Sequence, residues 1–407
     1  MRILFLHRAF PGQFRYLAAV LARDPRNEVV FLTTAPAGQI PGVKKVVYRV
    51  GRTANPATHG YLQGMENAVL YGQAAYRAAS ELKKRGFVPD LIVGHSGWGP
   101  TLFMADVYPQ TPILCYFEWF YHAQGSSFGF DPKFPVSADN AAEIRVKNAP
   151  LLMDLAACHA GITPTRWQHS RFPAEFRDKL TVLHDGIDTE FFQPGASADL
   201  RLGTLGLDLA SLPEVVTYVA TGMEPLRGFP QFMEAVSLLQ RRRPQLHAVI
   251  VGEDRTEYEN TLPNGKTYKQ TMLEQFPFDL SRLHFTGRLS LSDYRQVLLA
   301  SSVHIYLTYP FILSWSMLEA MSCGCLVIGS DTSPVREIIR DRVNGHLVDF
   351  FSPEAIAETV ETALTEKAQS AQLRQAARQT IIAGYDIRRL LPQQLALLQA
   401  TAAGMGG

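Results

Sequence analysis

Short apolar runs alternate with amphipathic segments along the first half of the chain. The apolar runs are rich in β-branched and aromatic residues, which favour strands, at Arg2–His7, Val29–Thr33, Lys45–Val50, Leu91–Val93, Ile113–Phe117, Gly161–Ile162 and Leu180–Leu183. Apolar residues recur at helical spacing in Gln13–Arg23, Leu62–Arg85 and Asn140–Cys158. Because continuous apolar strands separated by helices are typical of a parallel sheet covered on both faces, this half is predicted to be an α/β domain.

The second half repeats the alternation. Its predicted strands are Val215–Ala220, His247–Val251, Leu283–Phe285, Val303–Leu307 and Leu326–Ile328. Its predicted helices are Gly228–Arg241, Ser292–Ala300, Ser316–Met321, Val335–Ile339 and three segments within Pro353–Ala400, whereas Arg255–Tyr268 is polar and loop-like. The pattern predicts a second α/β domain of the same kind.

Glycine, proline, aspartate and serine cluster in Asp185–Gly206, which favours a domain boundary there. We therefore predict two facing, doubly wound, Rossmann-like domains over residues 1–190 and 191–385, with a final helix in 386–407 that packs back on the first domain. In open parallel sheets, ligands bind outside the carboxyl ends of the strands. The chemistry is therefore expected in strand-to-helix loops that face an interdomain cleft.

The composition narrows the class of protein. The chain has 407 residues, of which 46% are hydrophobic and 19% are charged, so it is not a disordered, collagen-like or coiled-coil protein. A formal net charge of +1 provides no overall field that would attract nucleic acid. Residues 1–60 nevertheless contain nine basic and two acidic residues, which suits either an anionic surface or a solvated face.

The same inventory bears on redox state and location. The four cysteines form no Cys-x-x-Cys pair, which favours buried, reduced thiols over disulfides or a zinc site. The N-terminal apolar stretch is too short for a signal peptide, and no later stretch suits a membrane span. We expect a cytoplasmic protein, with peripheral contact at the inner face of the membrane as an open alternative.

The segment Tyr309–Gly324 carries the strongest candidate chemistry. A helix is predicted to begin near Ser314–Ser316, and a helix N-terminus offers backbone N–H groups and partial positive charge to a diphosphate. Glu319 lies about one turn inside, where a carboxylate can accept hydrogen bonds from both hydroxyl groups of a ribose. The structural alternative stays open, in which Ser314 only caps the helix and Glu319 only complements its dipole.

Two further loops connect a strand to a helix. Gly222 permits a tight turn, and the guanidinium of Arg227 beside the next helix could bind phosphate oxygens. Gly12 lies in a similar loop of the first half, at a helix start that suits an anion. Each loop could equally be an exposed turn without a ligand.

His95 and Glu118 each follow a predicted strand of the first half. Both side chains would face the cleft, where they are candidate acid, base or hydroxyl-binding groups. A structural histidine is the alternative for His95. The aromatic residues that follow Glu118 could stack on a sugar, cover a lipid-linked acceptor or fill the core: Trp119, Phe120, Tyr121, Phe128, Phe130 and Phe134.

Several catalytic motifs are absent from the sequence. No Asp-x-Asp pair occurs, so a metal clamp for a nucleotide-sugar diphosphate is not evident, and no metal or other cofactor is expected. No P-loop, Gly-x-Gly-x-x-Gly, Gly-x-Ser-x-Gly or His-Glu-x-x-His motif occurs either. ATPase, serine hydrolase and zinc protease activities therefore lack motif support.

An ordered set of short motifs resembles the family 4 glycosyltransferases, which have the GT-B fold. The set comprises 183–192 (LHDGIDTEFF), the loop that ends at Arg227-Gly228, 318–324 (LEAMSCG), 329–331 (GSD), 334–339 (PVREII) and 344–349 (NGHLVD). The closest pattern is that of a bacterial subgroup marked by 224–229 (EPLRGF) and 306–316 (YLTYPFILSWS). The resemblance covers nearly the whole chain.

This resemblance implies retaining transfer of a sugar from a nucleotide diphosphate donor, such as a UDP- or GDP-sugar, to an acceptor hydroxyl. It implies no essential metal, an acceptor-binding first domain and a donor-binding second domain. The acceptor would be a glycan, a lipid-linked molecule or a small molecule of bacterial polysaccharide or glycolipid synthesis. No oligomeric state is indicated.

The resemblance also assigns site residues. Glu319 would hold the ribose, Arg227 would neutralise the diphosphate, and the helix start at Ser314, Trp315 and Ser316 would supply N–H groups. Gly12 and Gly222 would let loops approach the donor, Arg288 and Leu289 would lie by the nucleobase, and Glu118 would face the acceptor beside His95.

The sequence departs from the family pattern at two places. Phe311 stands eight residues before Glu319, where the family has a glutamate, and Thr221 and Met223 flank Gly222, where it has an arginine. Three alternatives therefore stay open: a nucleotide-sugar epimerase of similar fold, an inactive carbohydrate-binding or scaffold protein and, least favoured, an NAD oxidoreductase.

Overall fold

The computed structural model describes residues 1–195, 200–203, 206–257 and 262–404. The chain divides into two compact units, which are unit 1 (Met1–Gly186 and Arg388–Gly407) and unit 2 (Ile187–Ile387). The bounds predicted after residues 190 and 385 lie within a few residues of these division points. Parts of the predicted boundary region, of the loop 255–268 and of the C-terminus lie outside the described residues, at 196–199, 204–205, 258–261 and 405–407.

Unit 1 is built on a seven-stranded, wholly parallel sheet. Its strands are β1 (Arg2–Leu6), β2 (Glu28–Thr33), β3 (Val43–Val47), β4 (Leu91–His95), β5 (Ile113–Tyr116), β6 (Ala160–Thr163) and β7 (Leu180–Val182). They are ordered β3-β2-β1-β4-β5-β6-β7. The central strands are buried along almost their whole length, as their uninterrupted apolar sequences predict.

Helices connect the strands of unit 1. They are α1 (Arg15–Arg23), α2 (Gly60–Lys84), α3 (Met104–Val107), α4 (Ala138–Val146), α5 (Ala149–Ala157), α6 (Arg166–Arg171) and α7 (Ala174–Arg177). The last helix of the chain, α15 (Ile387–Ala402), also contributes to this unit, because Leu390 and Leu398 belong to the same buried cluster as Ile3 and Phe5. Its Gln394 side chain donates hydrogen bonds to the backbone carbonyl oxygens of residues 184 and 185.

Unit 2 contains a six-stranded parallel sheet and a short hairpin. The hairpin strands are β8 (Arg201–Leu202) and β9 (Leu207–Asp208), and the sheet strands are β10 (Glu214–Gly222), β11 (Leu246–Glu253), β12 (Leu283–Gly287), β13 (Val303–Tyr306), β14 (Val327–Ser330) and β15 (His346–Val348). The sheet order is β12-β11-β10-β13-β14-β15. The helices are α8 (Phe229–Arg242), α9 (Tyr268–Gln275), α10 (Leu291–Ala300), α11 (Trp315–Ser322), α12 (Ser333–Arg336), α13 (Pro353–Thr365) and α14 (Lys367–Tyr385). The prediction of two doubly wound, parallel-sheet α/β domains is confirmed.

Some predicted elements differ in detail. The single helix predicted over Asn140–Cys158 is two helices, because Pro150 lacks a backbone N–H and begins a new helix as its second residue. The helix predicted over Val335–Ile339 is the shorter α12, which begins earlier, at Ser333, with Pro334 in its first turn. Strand β15 was not predicted, because its three residues are too few to show a period.

Parallel strands place their carboxyl ends at one edge of each sheet, so the loops after β1, β4 and β5 share an edge in unit 1. The loops after β10, β11 and β13 do the same in unit 2. Within the described parts of the chain, no helix is both long and apolar enough to cross a lipid bilayer.

Candidate functional site

A cavity of about 500 Å³ opens at the carboxyl ends of the strands in unit 2. Four elements line it, namely the ends of β10 and β11, the segment that leads from β12 into α10, and the first turns of α11. Its lining includes six residues that the sequence singled out, Arg288, Leu289, Ser314, Trp315, Ser316 and Glu319. Their common location is a finding of the structure, whereas their roles toward a ligand stay predictions.

Helix α11 begins at this cavity with an ordered N-terminus. The Ser314 hydroxyl oxygen accepts a hydrogen bond from the Ser316 backbone N–H at 3.3 Å, as expected of an N-cap serine. The Ser314 backbone N–H donates to the Tyr306 hydroxyl oxygen at 2.8 Å. The start of the helix is therefore fixed to the end of strand β13, and its partial positive charge is held at the cavity wall.

Glu319 lies on the cavity wall and receives a phenolic hydrogen bond. The Tyr294 hydroxyl, on α10, donates to the Glu319 Oε2 atom at 2.8 Å. Burial, together with the adjacent carboxylate, raises the pKa of Tyr294 well above its ordinary value, so this phenol remains a donor at all ordinary pH values. The bond fixes the direction of a carboxylate that is itself 8% exposed.

Arg227 lies outside the set of residues that line this cavity. Its Nη1 atom donates to Thr308 Oγ1 and to the Ile312 carbonyl oxygen, each at 2.9 Å, and to the Tyr306 hydroxyl at 3.3 Å. Its guanidinium carbon lies 5.9 Å from the ring centroid of Phe311, the residue that replaces the family's first glutamate. The arginine is thus tied to the loop that leads into α11.

Gly222 also has a structural task. A Cβ atom at this position would lie 2.6 Å from the carbonyl oxygen of Arg255, and the Met223 N–H donates to that same oxygen at 3.0 Å. Glycine therefore allows the segment after β11 to pass close against the end of β10. The close approach is to protein backbone, and the predicted approach to a donor stays a prediction.

The structure adds two residues to the cavity that the sequence analysis did not name. Arg255 lines it while forming ion pairs with Glu253 and Glu257, and Tyr294 lines it beside Glu319. Arg255 stands two residues after strand β11, so the strand-end rule that led to His95 and Glu118 could have found it. Tyr294 lies inside a helix, where only the three-dimensional packing shows its contact with Glu319.

In unit 1, His95 and Glu118 lie side by side at the ends of β4 and β5. The His95 Nε2 atom is 3.6 Å from Glu118 Oε2. The Ser96 carbonyl oxygen, 2.9 Å from His95 Nδ1, can only accept, so the proton of the neutral ring lies on Nδ1. Nε2 then presents a lone pair beside a carboxylate, and a hydroxyl placed here could donate to either atom.

A hydrogen-bond relay orients Glu118. The Ala9 N–H donates to His7 Nδ1 at 2.8 Å, which places the His7 proton on Nε2, next to Gln13 Oε1 at 2.8 Å. The Gln13 amide in turn donates to Glu118 Oε1 at 3.1 Å. Burial, and secondarily His95, lowers the pKa of His7 to about 3, so His7 stays neutral and the relay keeps one direction.

Gly12 belongs to this unit 1 group. Its backbone φ is +55°, and a Cβ atom there would lie 2.6 Å from the His7 imidazole. Glycine is required because the loop turns over the ring of His7. The structure thus gives Gly12 a local role, and its contact with a donor stays a prediction.

The loop after β4 completes the unit 1 site. The Trp98 indole stacks on His95 with ring centroids 4.4 Å apart, and Arg8 lies over the Trp98 ring at 5.6 Å. From helix α5, the buried Asp154 accepts hydrogen bonds from Ser96 Oγ at 2.6 Å and Thr101 Oγ1 at 2.7 Å. Asp154 therefore holds the loop that carries His95 and Trp98.

The aromatic residues after Glu118 divide between core and surface. Trp119 and Phe120 are buried, whereas Phe134 is 56% exposed. The first two fill the core of unit 1, and the third remains available for a sugar or a lipid.

Among the described residues, no three histidine, cysteine, aspartate or glutamate side chains are grouped so that they could hold a metal ion. The four cysteines are free and buried. The need for a metal or other cofactor stays untested, and the prediction of none remains a prediction.

Two family models together match most of the chain. The model described as "Glycosyl transferase family 4 group" matches residues 25–192, and the one described as "Glycosyl transferases group 1" matches residues 210–380. The first match lies almost wholly in unit 1, and the second lies wholly in unit 2.

Curated relatives are more distant. The α-maltose-1-phosphate synthase of Mycobacterium tuberculosis is 24% identical over 57% of this chain and 59% of its own length. A D-inositol 3-phosphate glycosyltransferase of Mycolicibacterium gilvum is 27% identical over 45% of this chain and 38% of its own length. The chain therefore spans less than two thirds of the length of either relative.

Solved structures match the fold over almost the full chain. Anabaena Alr3699/HepE in complex with UDP-glucose has a TM-score of 0.71 at 16% identity, covering 98% of this chain and 100% of its own. Sucrose-phosphate synthase from Thermosynechococcus elongatus has the same TM-score and identity, covering 99% of each chain. Both are similar in fold.

Proposed function

The chain belongs to the family 4 glycosyltransferases of the GT-B fold, and on that premise we propose that it transfers a sugar from a nucleotide diphosphate sugar to an acceptor hydroxyl. The observation that carries the proposal is the unit 2 cavity, where Glu319, oriented by Tyr294, lies beside the capped start of α11. A diol-binding carboxylate next to a helix N-terminus suits a ribose joined to a diphosphate.

Positive charge for the diphosphate would come from three sources. Arg255 and Arg288 line the cavity, and the α11 N-terminus adds the partial charge of the helix dipole. Arg227 would act on the same phosphates through the loop that it binds. These groups would stabilise the negative charge that develops on the leaving diphosphate in the transition state.

The donor nucleotide is proposed to be a uridine or guanosine diphosphate. The similarity in fold to Alr3699/HepE, solved with UDP-glucose, favours UDP, and a hexose is the proposed sugar. Arg288 and Leu289 follow Gly287 at the cavity, where they would border the nucleobase.

The acceptor hydroxyl is proposed to bind in unit 1 beside His95 and Glu118. Their facing lone pair and carboxylate suit a hydroxyl donor, and the relay through Gln13 keeps Glu118 in place. The ring of Trp98 offers an aromatic face for a sugar. The acceptor would be a glycan, a lipid-linked molecule or a small molecule of bacterial polysaccharide synthesis.

Retention is proposed to follow from attack on the face that the diphosphate leaves. In this mechanism, the acceptor O–H bond breaks as the new glycosidic bond forms, and its proton passes to the departing phosphate. A double displacement with Glu118 as nucleophile is the alternative. We propose that neither step requires a metal ion.

Titration calorimetry with UDP, GDP and UDP-glucose tests the donor site. We expect Glu319→Gln to weaken nucleotide binding at least about tenfold, since a charge-assisted hydrogen bond is lost. Glu358→Gln, a change at an exposed position of α13, is the matched control and should leave binding unchanged. Equal affinity of both variants and the original chain would remove the proposed donor site.

Product analysis tests the reaction itself. With a nucleotide sugar and an acceptor mixture, transfer releases free nucleoside diphosphate, whereas an epimerase changes the sugar and leaves it attached to the nucleotide. NMR of the product's anomeric proton reports retention, and a reaction in EDTA reports metal independence. Donor binding without any turnover would favour the inactive, binding-only alternative.

A further inference from the structure

A second groove, separate from the His95–Glu118 pair, lies on unit 1. It runs between the segment that follows β3 and the face of helix α2, and its volume is about 470 Å³. Three arginines line it, Arg49, Arg52 and Arg77, over a floor that includes Leu70 and Ala74. None of the described residues that line this groove is acidic. We call it the arginine groove.

The charges of the arginine groove are only partly neutralised. Arg52 forms an ion pair with Glu66. Arg49 and Arg77 have no acidic partner within ion-pair distance in the part of the chain that the structure covers. Elsewhere in unit 1, arginines such as Arg2 and Arg26 pair with a carboxylate. Two uncompensated guanidinium groups in one groove repel each other, and an anion bound between them would remove that cost.

Tyr48 gives an independent sign of a ligand. It lines the arginine groove, is only 6% exposed, and its hydroxyl has no hydrogen-bond partner among the described residues. Burial raises the pKa of the Tyr48 phenol, so the group is a neutral donor at ordinary pH. A buried hydroxyl without a partner loses hydrogen-bond energy, which an oxygen-bearing ligand would restore.

Aromatic and cationic contacts connect the arginine groove to the site described above. Tyr71 follows the groove residue Leu70 on α2, and the Arg8 guanidinium stacks on Tyr71 at 4.2 Å. Arg8 also lies over Trp98, which stacks on His95. The groove is therefore joined to the proposed acceptor position by side chains that touch in sequence.

We propose that the arginine groove binds a phosphate group carried by the acceptor, so that the enzyme glycosylates a phosphorylated molecule. Guanidinium groups bind phosphate oxygens through paired N–H donors, and the Tyr48 hydroxyl supplies one more donor. The proposal deepens the proposed function and rests on it for the word acceptor, whereas phosphate binding by the arginine groove does not depend on transfer.

The phosphate could come from a water-soluble ester or from a lipid. Three large apolar side chains at seven-residue spacing, Leu62, Val69 and Tyr76, are exposed along α2. They lie on a helix face adjacent to that of Leu70 and Ala74. Both sources share the phosphate chemistry, and the test separates them.

Calorimetric titration with phenyl phosphate, with saturating UDP present to occupy the donor cavity, measures phosphate binding in solution. Flotation with phosphatidylcholine vesicles, with and without phosphatidic acid, measures the lipid source. We expect the double change Arg49→Gln and Arg77→Gln to weaken binding to the favoured probe at least about tenfold, because two charge-assisted contacts are lost. Tyr48→Phe should weaken it by a smaller factor.

Arg23→Gln is the matched control. This exposed arginine at the end of α1 carries the same charge at the opposite edge of the sheet. The double change to lysine should restore part of the affinity, since charge returns without the planar fork. Circular dichroism and thermal unfolding check that each variant is folded.

Phosphate binding that is equal in the double glutamine variant, the control and the original chain overturns the proposal, as does the absence of binding to both probes. Separate UDP titrations keep this result distinct from the proposed function. UDP binding with no effect in the arginine groove removes only this inference. Loss of phosphate binding in a chain that does not bind UDP would remove only the donor site.

Discussion

The Arg227 guanidinium donates a hydrogen bond to the Ile312 carbonyl oxygen at 2.9 Å, which ties the start of α8 to the loop before α11. The same nitrogen reaches the Tyr306 hydroxyl, which accepts the backbone N–H of Ser314. A residue assigned to the diphosphate by resemblance therefore also sets the position of the helix start that would bind that diphosphate. This contact makes Arg227 a positioning residue as well as a candidate ligand.

Replacing Arg227 should affect stability and donor binding together. We expect Arg227→Ala to lower the free energy of unfolding by about 1–3 kcal/mol, because buried oxygen atoms of Thr308 and Ile312 lose their donor. UDP affinity should fall in parallel. Urea unfolding and calorimetry measure the two effects, and an unchanged stability would contradict the positioning role.

Tyr294→Phe separates orientation of Glu319 from its charge. The variant keeps the carboxylate and removes the phenolic hydrogen bond of 2.8 Å. We expect UDP affinity to fall about three- to tenfold, less than in Glu319→Gln, since one hydrogen bond contributes about 0.5–1.5 kcal/mol. Calorimetry of both variants gives the comparison, and a greater loss in Tyr294→Phe would reverse the assignment.

Gly222→Ala should destabilise unit 2. The new methyl group would lie 2.6 Å from the Arg255 carbonyl oxygen, and backbone must move to relieve that contact. We expect the free energy of unfolding to fall by about 1–3 kcal/mol. Gly384→Ala, in α14, has no atom within 4 Å of its new Cβ and should raise stability by about 0.5–1 kcal/mol. Equal effects at the two positions would show that the close approach to Arg255 does not matter.

The sequence predicts the fold well where periodicity is long and punctuation is strong. The strands of both sheets follow from uninterrupted apolar runs, and strand-end positions identify His95 and Glu118, which do lie together. Glu319 and Ser314 follow from helix-start chemistry, and both line one cavity.

What the sequence could not predict are contacts between distant elements. Tyr294 reaches Glu319 from another helix, and Asp154 reaches Ser96 from 58 positions away in sequence. The direction of the Arg227 side chain also depends on packing, because the same loop sequence allows it to point into the cavity or toward Ile312. Local periodicity carries no information about such pairs.

The buried histidines and Asp154 should affect stability in opposite directions as pH changes. Burial lowers the pKa of His7 to about 3, of His184 to about 4 and of His304 to about 3. The unfolded chain therefore binds more protons than the folded one as pH falls below about 6.5, and stability is lost. A single pH profile mixes these effects with that of Asp154, so a difference between variants is needed.

Comparison with Asp154→Asn isolates the aspartate that holds the His95 loop. Burial raises the pKa of Asp154 to about 6 from 3.8, so between these values the folded chain holds a proton that the unfolded chain releases. The resulting stabilisation is complete below about pH 4 and is lost as pH rises through about 6, whereas the asparagine variant does not titrate. We expect the stability of the original chain relative to Asp154→Asn to fall by about 2–3 kcal/mol between about pH 4 and pH 7. Urea unfolding at each pH measures this difference, with Ser96→Ala as a control that keeps the aspartate. A difference that is constant, or that grows with pH, would mean that Asp154 is ionised throughout and that its two hydroxyl donors outweigh its burial.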